Sequence, residues 1–308
     1  MSVAPSSASF MAQATRNGTP ERETFHKFFE CWLVEQDQLL QRLISASKDS
    51  DGGNNASEST QHQQQQQQQQ QRSEARGGLR ALIEEVIQHY EQYYRAKSRW
   101  AKEDILGMLS PTWRSTLEDA FLWIGGWRPT MAFHLLYSKS GLQLDAKLAE
   151  LIRGLSSGDL ADLSPTQLVQ VDELQRRTVR EEKEITEKLA KHQETVADLS
   201  MVELSHTVSE MLQSSSGSSG NPAEDEMDKR VELTLAPKED GLEDLLHMAD
   251  DLRLRTLKGV VDILTPIQAV HFLIAAAELH LRLHEWGKKK DAMNHRYHHA
   301  RGGDGSTT

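Results

Sequence analysis

Cysteine is almost missing from this chain: Cys31 stands alone among 308 residues. A single thiol closes no intrachain disulfide and supplies no cysteine-based zinc site, which points to a reducing, intracellular compartment. Long apolar runs are missing too. None approaches the roughly 20 residues that carry a helix across a bilayer. Residues 1–18 hold neither the apolar core of a signal peptide nor the arginine enrichment of a transit peptide. The expectation is a soluble protein of nucleus or cytoplasm with no membrane partner.

Basic charge is in short supply, with 35 Lys and Arg against 46 Asp and Glu for a formal net charge of -11. Affinity for nucleic acid comes from cations that neutralise phosphates, so this balance argues against unaided, non-specific binding to DNA or RNA. The best basic cluster, Lys288, Lys289 and Lys290 with Arg296 and Arg301, lies at the edge of the last expected helix. It reads as a soluble helix end or a weak nuclear-import signal. Alternating strand patterns are also absent; only Arg230 to Ala236 alternates, and one short segment builds no sheet. There is no Gly-x-Ser-x-Gly elbow, no phosphate-cradling glycine loop and no His-Glu-x-x-His helix, and an enzyme is not expected.

What is present is helical periodicity. Phe25, Phe28, Phe29, Trp32, Leu33, Leu39, Leu40 and Leu43 recur at three- and four-residue spacings and predict an amphipathic helix over 22–44. A second helix is expected from Leu79 to Leu109, and a third from Pro111 to a glycine stop at Gly125-Gly126. A short fourth is expected from Pro129 to Gly141, a fifth over 145–155, and a long, charge-dense sixth from Pro165 to about Gln213 with a coiled-coil-like face suited to homo-oligomer formation. Leu242 to Leu264 and Ala269 to Leu283 follow. Residues 1–20, about 45–78 with the glutamines Gln63 to Gln71, about 214–225 and 291–308 are poor in apolar residues and are expected to be disordered. The reading is an all-α, multi-helix bundle over 21–290 with long helices and disordered insertions.

Several of these segments carry a recognisable pattern. FHKFFECWLVEQDQLLQRLI at 25–44, ILGMLSPTWRSTLEDAFLWIGGWRPTMAFHLLYSKSG at 105–141, LSPTQLVQVDELQRRTVREEKEITEKLAKHQETVAD at 163–198 and ADDLRLRTLKGVVDILTPIQAVHFLIAAAELHLRLHEWG at 249–287 occur in order. Together they resemble the plant Delay of Germination family, whose domain also lies at the C-terminal side of TGA-type bZIP transcription factors. The resemblance implies a non-enzymatic regulator of seed maturation, dormancy or hormone-linked transcription, acting through protein contacts, with type 2C protein phosphatases among its partners. A bZIP basic region is a continuous Arg/Lys-bearing helix leading into a leucine zipper, and residues 1–24 contain nothing of the kind. A sequence-specific DNA-binding factor and a small-ligand or haem sensor are the alternatives.

Three groups of residues are candidates for function. Phe25, Phe28, Phe29, Trp32 and Leu33 put five large apolar groups into less than three turns, more than one core-facing stripe requires, so this helix suits a partner's groove as well as a core. Trp123, Trp127 and Arg128 flank two glycines. Arg128 stands at a helix start, where a cation is not favoured by the dipole, and so calls for an anionic partner: an internal carboxylate or a bound carboxylate or phosphate. His280 and His284 share one helical face, a spacing that suits a metal or an axial haem ligand, whereas His271 falls on the opposite side. Glu181, Glu182, Glu184 and Glu187 interleave with Arg180, Lys183 and Lys188 as a solvated helix face.

Overall fold

The computed structural model describes residues 21–52, 62–151, 160, 163–214 and 222–302. The α-helices are α1 (Glu21–Gly52), α2 (His62–Ala101), α3 (Ile105–Leu109), α4 (Thr116–Asp119), α5 (Met131–Leu151), α6 (Pro165–Glu194), α7 (Leu199–Ser214), α8 (Pro222–Ile263) and α9 (Pro266–Gly302). No strand occurs among the described residues; Trp123 and Gly126 form an isolated antiparallel bridge. The all-α expectation holds. Among the described residues no helix is long and apolar enough to cross a membrane.

Two packing units share one core. In the first, α9 lies against α1, α2, α4 and α5, and α1 packs on α2. In the second, α6 pairs with α8, which also touches α2, α3 and α5. Capping sets several boundaries. Ser115 and Glu118 form a reciprocal capping box at α4, and Ser164 and Gln167 form another at α6, with Pro165 at the first helical position. The Gln167 amide also donates to the Ile263 carbonyl (3.0 Å) and to Gln268 (2.7 Å), so the start of α6 is tied to the joint between α8 and α9.

Helix boundaries differ from the sequence reading in ways that have physical causes. α1 runs on to Gly52 and α2 begins at His62, so the glutamine run is helical. Glutamine ranks close to leucine and lysine as a helix former, and extending a helix already nucleated from Leu79 onward costs little. The expected third helix shrinks to α4, because Ser115 caps a new start and the chain turns at Trp123 to Gly126. The fourth and fifth merge into α5, which passes through Gly141; a helical glycine costs only about 1 kcal/mol.

The sixth breaks at a 3₁₀ turn, Thr195–Ala197, after which the Asp198 carboxylate accepts from the Met201 N–H (3.1 Å) and opens α7. The alternating Arg230 to Ala236 lies within α8, which also contains Pro237. α9 continues to Gly302, past the expected tail boundary at 291. Residues 1–20, 53–61, 152–159, 161–162, 215–221 and 303–308, which include the end of the expected fifth helix, lie outside the described residues. Part of the face expected on the sixth helix to serve oligomer formation packs within the chain, since Val171, Leu174, Thr178 and Ile185 are buried and α6 packs on α8, whereas Leu168, Val196, Leu199 and Val202 are exposed.

Candidate functional site

The segment between α4 and α5 has little regular structure, and its shape is enforced from outside. Trp123 N–H donates to the Gly126 carbonyl (2.8 Å) and Gly126 N–H to the Trp123 carbonyl (3.2 Å), closing a two-residue turn. Ile124 (φ 45°) and Gly125 (φ 65°) both occupy the left-handed region, the sign pattern of a type I′ turn. A β-branched residue there is strained. A Cβ on Gly125 would lie 2.8 Å from the Met108 carbonyl oxygen, and one on Gly126 would lie 2.7 Å from the Arg253 guanidinium carbon. Both positions therefore require glycine.

Two buried cations hold this turn. Arg253 of α8 is 0% exposed and Lys97 of α2 is 2% exposed. The Arg253 Nε donates to the Trp127 carbonyl (2.6 Å), and its Nη2 to the carbonyls of Trp123 and Ile124 (2.9 Å to the latter). Its Nη1 pairs with Asp250, and the guanidinium lies 5.3 Å from the Trp123 ring centroid. Lys97 Nζ donates to the Gly125 carbonyl (2.9 Å) and to Asp250 Oδ1 (3.0 Å). Burial pushes the Lys97 ammonium down to about 7 against the pull of Asp250. One carboxylate faces two cations here, and four peptide carbonyls supply the remaining negative potential.

The outer side of the turn answers the question Arg128 raised. Its partner is Glu182 of α6, a buried carboxylate that also accepts from the Thr130 N–H (3.1 Å) and hydroxyl (3.3 Å). The solvated-face reading of Glu182 is thereby corrected; the neighbouring Glu181 does stay on the surface side, paired with Arg255. Trp123 Nε1 donates to the Thr186 hydroxyl (3.1 Å) and Trp127 Nε1 to the Tyr94 hydroxyl (2.9 Å). Trp123, Trp127 and Arg128 thus clamp α2, α6 and α8 together. A groove of about 420 Å³ lies elsewhere, between α2, α8 and α9, lined by Ile83, Ile87, Val261 and Leu264.

The second candidate group also faces inward. Phe25, Phe28, Phe29 and Trp32 are buried and Leu33 is partly buried. Phe25 meets Trp113 (4.8 Å between centroids) and Trp100 (5.3 Å). Trp32 stacks on His89 (4.6 Å, 3°), lies 5.5 Å from His280 and donates from Nε1 to the His89 carbonyl (3.2 Å). The docking face expected on α1 is core, because α2 and α9 both flank the helix and each consumes one apolar stripe.

His280 and His284 belong to the same centre. His284 Nδ1 lies 3.0 Å from Glu118 Oε2, and Glu118 accepts from the Ser115 N–H (2.9 Å) and hydroxyl (2.7 Å). Burial opposes charge on Glu118, yet the bonds from His284 and Ser115 outweigh it and hold the carboxyl down at about 2. Burial pushes His89 and His280 down to about 4; the Arg114 charge adds to the effect at His280. With Trp32 against His280 and Phe29 5.7 Å from His284, a haem at this pair would have to displace α1. The residues as packed do not fit that macrocycle.

Arg253, Asp250 and Lys97 are the residues that sequence reading did not single out, and Glu182 is the one that it placed on the wrong side of its helix. A signal existed for the first: Leu246, Arg253 and Val260 are spaced by seven and all three are buried, so an arginine stands in a core register of α8.

Comparison with known proteins places this scaffold. The family model described as seed dormancy control (DOG1) matches residues 59–138, which include α2 and the clamped turn. Protein DOG1-like 3 of Arabidopsis thaliana is 30% identical over 220 residues, covering 69% of this chain and 73% of that protein. Protein DOG1-like 4 of the same plant is 29% identical over 273 residues, covering 89% and 96%. Transcription factor TGA2 of Arabidopsis thaliana is 29% identical over 206 residues, covering 67% of this chain and 52% of the factor. With a shared helical domain, the clamped turn inside the matched region and relatives at this identity over most of their length, the chain belongs to the DOG1 seed-dormancy-control family.

Proposed function

We propose that this chain is a non-catalytic regulator of seed maturation, dormancy or hormone-linked transcription, working in the nucleus or cytoplasm through protein contacts. The observation that carries the reading is the domain shared with both DOG1-like proteins and transcription factor TGA2. The geometry supports it: Arg253, Lys97 and the tryptophans of the turn are spent on internal bonds, which leaves the outer faces of a rigid helical frame as the working surface. Type 2C protein phosphatases are the partner class that the family resemblance suggests.

The rival is direct, sequence-specific DNA binding. It demands cations free to neutralise phosphates, whereas this chain carries a net charge of -11 and buries Lys97 and Arg253. The test pairs two titrations of the purified full-length chain. One adds it to a type 2C phosphatase and follows phosphopeptide turnover, where a saturable change is expected. The other adds it to random duplexes and to a TGA-type site over a range of salt. Selective binding that weakens steeply with salt, together with a flat phosphatase titration, would overturn the proposal in favour of the DNA-binding reading.

A further inference from the structure

The first turns of α9 are buried nearly all round, but from residue 278 onward the helix is buried on one side only. Asp291 accepts from the Thr116 N–H (3.0 Å) at the start of α4, and His284 meets Glu118, so the side carrying 284 and 291 is docked. Leu279 (43% exposed), Trp286 (55%) and Met293 (62%) are left in solvent. They are spaced by seven and fall in one line along the helix. A second line, also spaced by seven, runs beside them: Arg282, Lys289 and Arg296, all exposed. Glu285 lies between the first two and pairs with both, at 2.8 Å to Arg282 and 2.7 Å to Lys289, which keeps their side chains extended along the helix. Lys290, also exposed, falls between Trp286 and Met293.

We infer that this outward side of α9 is a docking seam for an acidic amphipathic helix of a partner protein, with Leu279, Trp286 and Met293 as the apolar row and Arg282, Lys289 and Arg296 as the charge-reading row. The inference rests on the protein-contact reading above and names one surface for it. Two rows at heptad spacing are the seam of a helix pair, in which apolar positions pack and flanking charges select the partner. A lone solvent-exposed tryptophan at the centre of such a row has the character of an interface anchor.

Three rival occupants suit the surface less well. A membrane-surface helix presents a broad apolar face, and this one is a single residue wide. Nucleic acid presents a phosphate backbone and offers no apolar row to cover Leu279, Trp286 and Met293 together. A second copy would set one cationic row against another, at a cost from like charges.

The experiment uses the full-length chain and a fluorescein-labelled peptide of three heptads, leucine at a and d and glutamate at e and g, read by anisotropy. A lysine-for-glutamate version and vesicles of phosphatidylserine and phosphatidylcholine serve as contrasts. Saturable binding of the glutamate peptide is expected, with roughly tenfold loss in Trp286→Ala and in Lys289→Glu, both exposed positions where the fold tolerates change. The double variant Arg282→Glu/Lys289→Glu should gain affinity for the lysine peptide. Equal affinity for both peptides, insensitivity to Trp286→Ala, or vesicle binding without peptide binding would overturn the seam. Phosphatase titrations on Trp286→Ala separate the two levels: retained regulation alongside a failed peptide assay removes this surface and leaves the broader function standing.

Discussion

The molecule contains two buried polar centres, organised on opposite principles. Around Arg253, charge does the organising: two cations, themselves held by Asp250, grip four peptide carbonyls of a segment with almost no regular hydrogen bonding of its own. Around Trp32, aromatic surface does the organising, with His89 and His280 against the indole and their basicity suppressed. The accounting of polar atoms differs as well. Gln36 Oε1, His89 Nε2, Trp113 Nε1 and Arg114 Nε, all in or beside the aromatic centre, have no protein partner, whereas the Arg253 centre shows no such atom. A turn without a helix of its own has to borrow its hydrogen bonds from neighbours; helices already paired internally need only fill space.

That contrast can be broken by removing each anchor in turn. Arg253→Met should be the most damaging change. It leaves Asp250 with Lys97 as its one cation and takes the donors from three buried carbonyls, a loss of about 5 kcal/mol at the upper end for breaking a buried charged network. Urea denaturation would measure it, and a loss under about 1 kcal/mol would mean that the turn holds its own shape. Trp32→Ala should cost about 4 kcal/mol through a cavity between α1, α2 and α9. If stability is unchanged and only a partner contact is lost, α1 is not core. Gly126→Ala drives a methyl into the Arg253 guanidinium and should cost about 2 kcal/mol by overpacking; a thermal melt would show it.

A change of pH sharpens the comparison further. His89 and His280 sit at about 4 in the folded chain against 6.5 when exposed. The unfolded chain therefore binds more protons between those values, and stability falls as pH drops from 6.5 to 4. The slope is about 1.4 kcal/mol per pH unit for each group. Lys97, lowered from 10.5 to about 7, acts in the same sense at higher pH: stability rises from pH 7 to 10.5. Urea midpoints across pH would show two limbs. His89→Phe should halve the slope of the acid limb, with His280 carrying the rest, and Lys97→Met should flatten the alkaline one, each leaving the other limb in place.

Much of the fold was legible because helical periodicity is local. The apolar spacings of α1, α6 and α9 and the Ser164-Pro165 start of α6 follow from residues within a turn or two of one another. The boundaries that went astray lie where local signals compete. Gly141 does not stop α5, and the alternation of Arg230 to Ala236 does not resist α8. The turn at Gly125-Gly126 was visible as a glycine pair, and the need of Arg128 for an anion was visible from its place at a helix start. Glu182 was not visible as that anion, since its neighbours carry the charge pattern of a solvated face.

By itself the sequence determined the helical class, the family and the demand for glycine at the turn, because these rest on periodicity, block order and backbone freedom. Only the tertiary structure decided which charges go inside. Arg253, Asp250 and Lys97 are far apart in the chain from the turn they hold, and no local pattern marks a lysine as buried until a carbonyl and a carboxylate are brought to meet it. The same holds for the two sides of α9: His284 became core, His280 became half-buried against Trp32, and Trp286 stayed in solvent because α1 and α4 pack on one side of that helix and not the other.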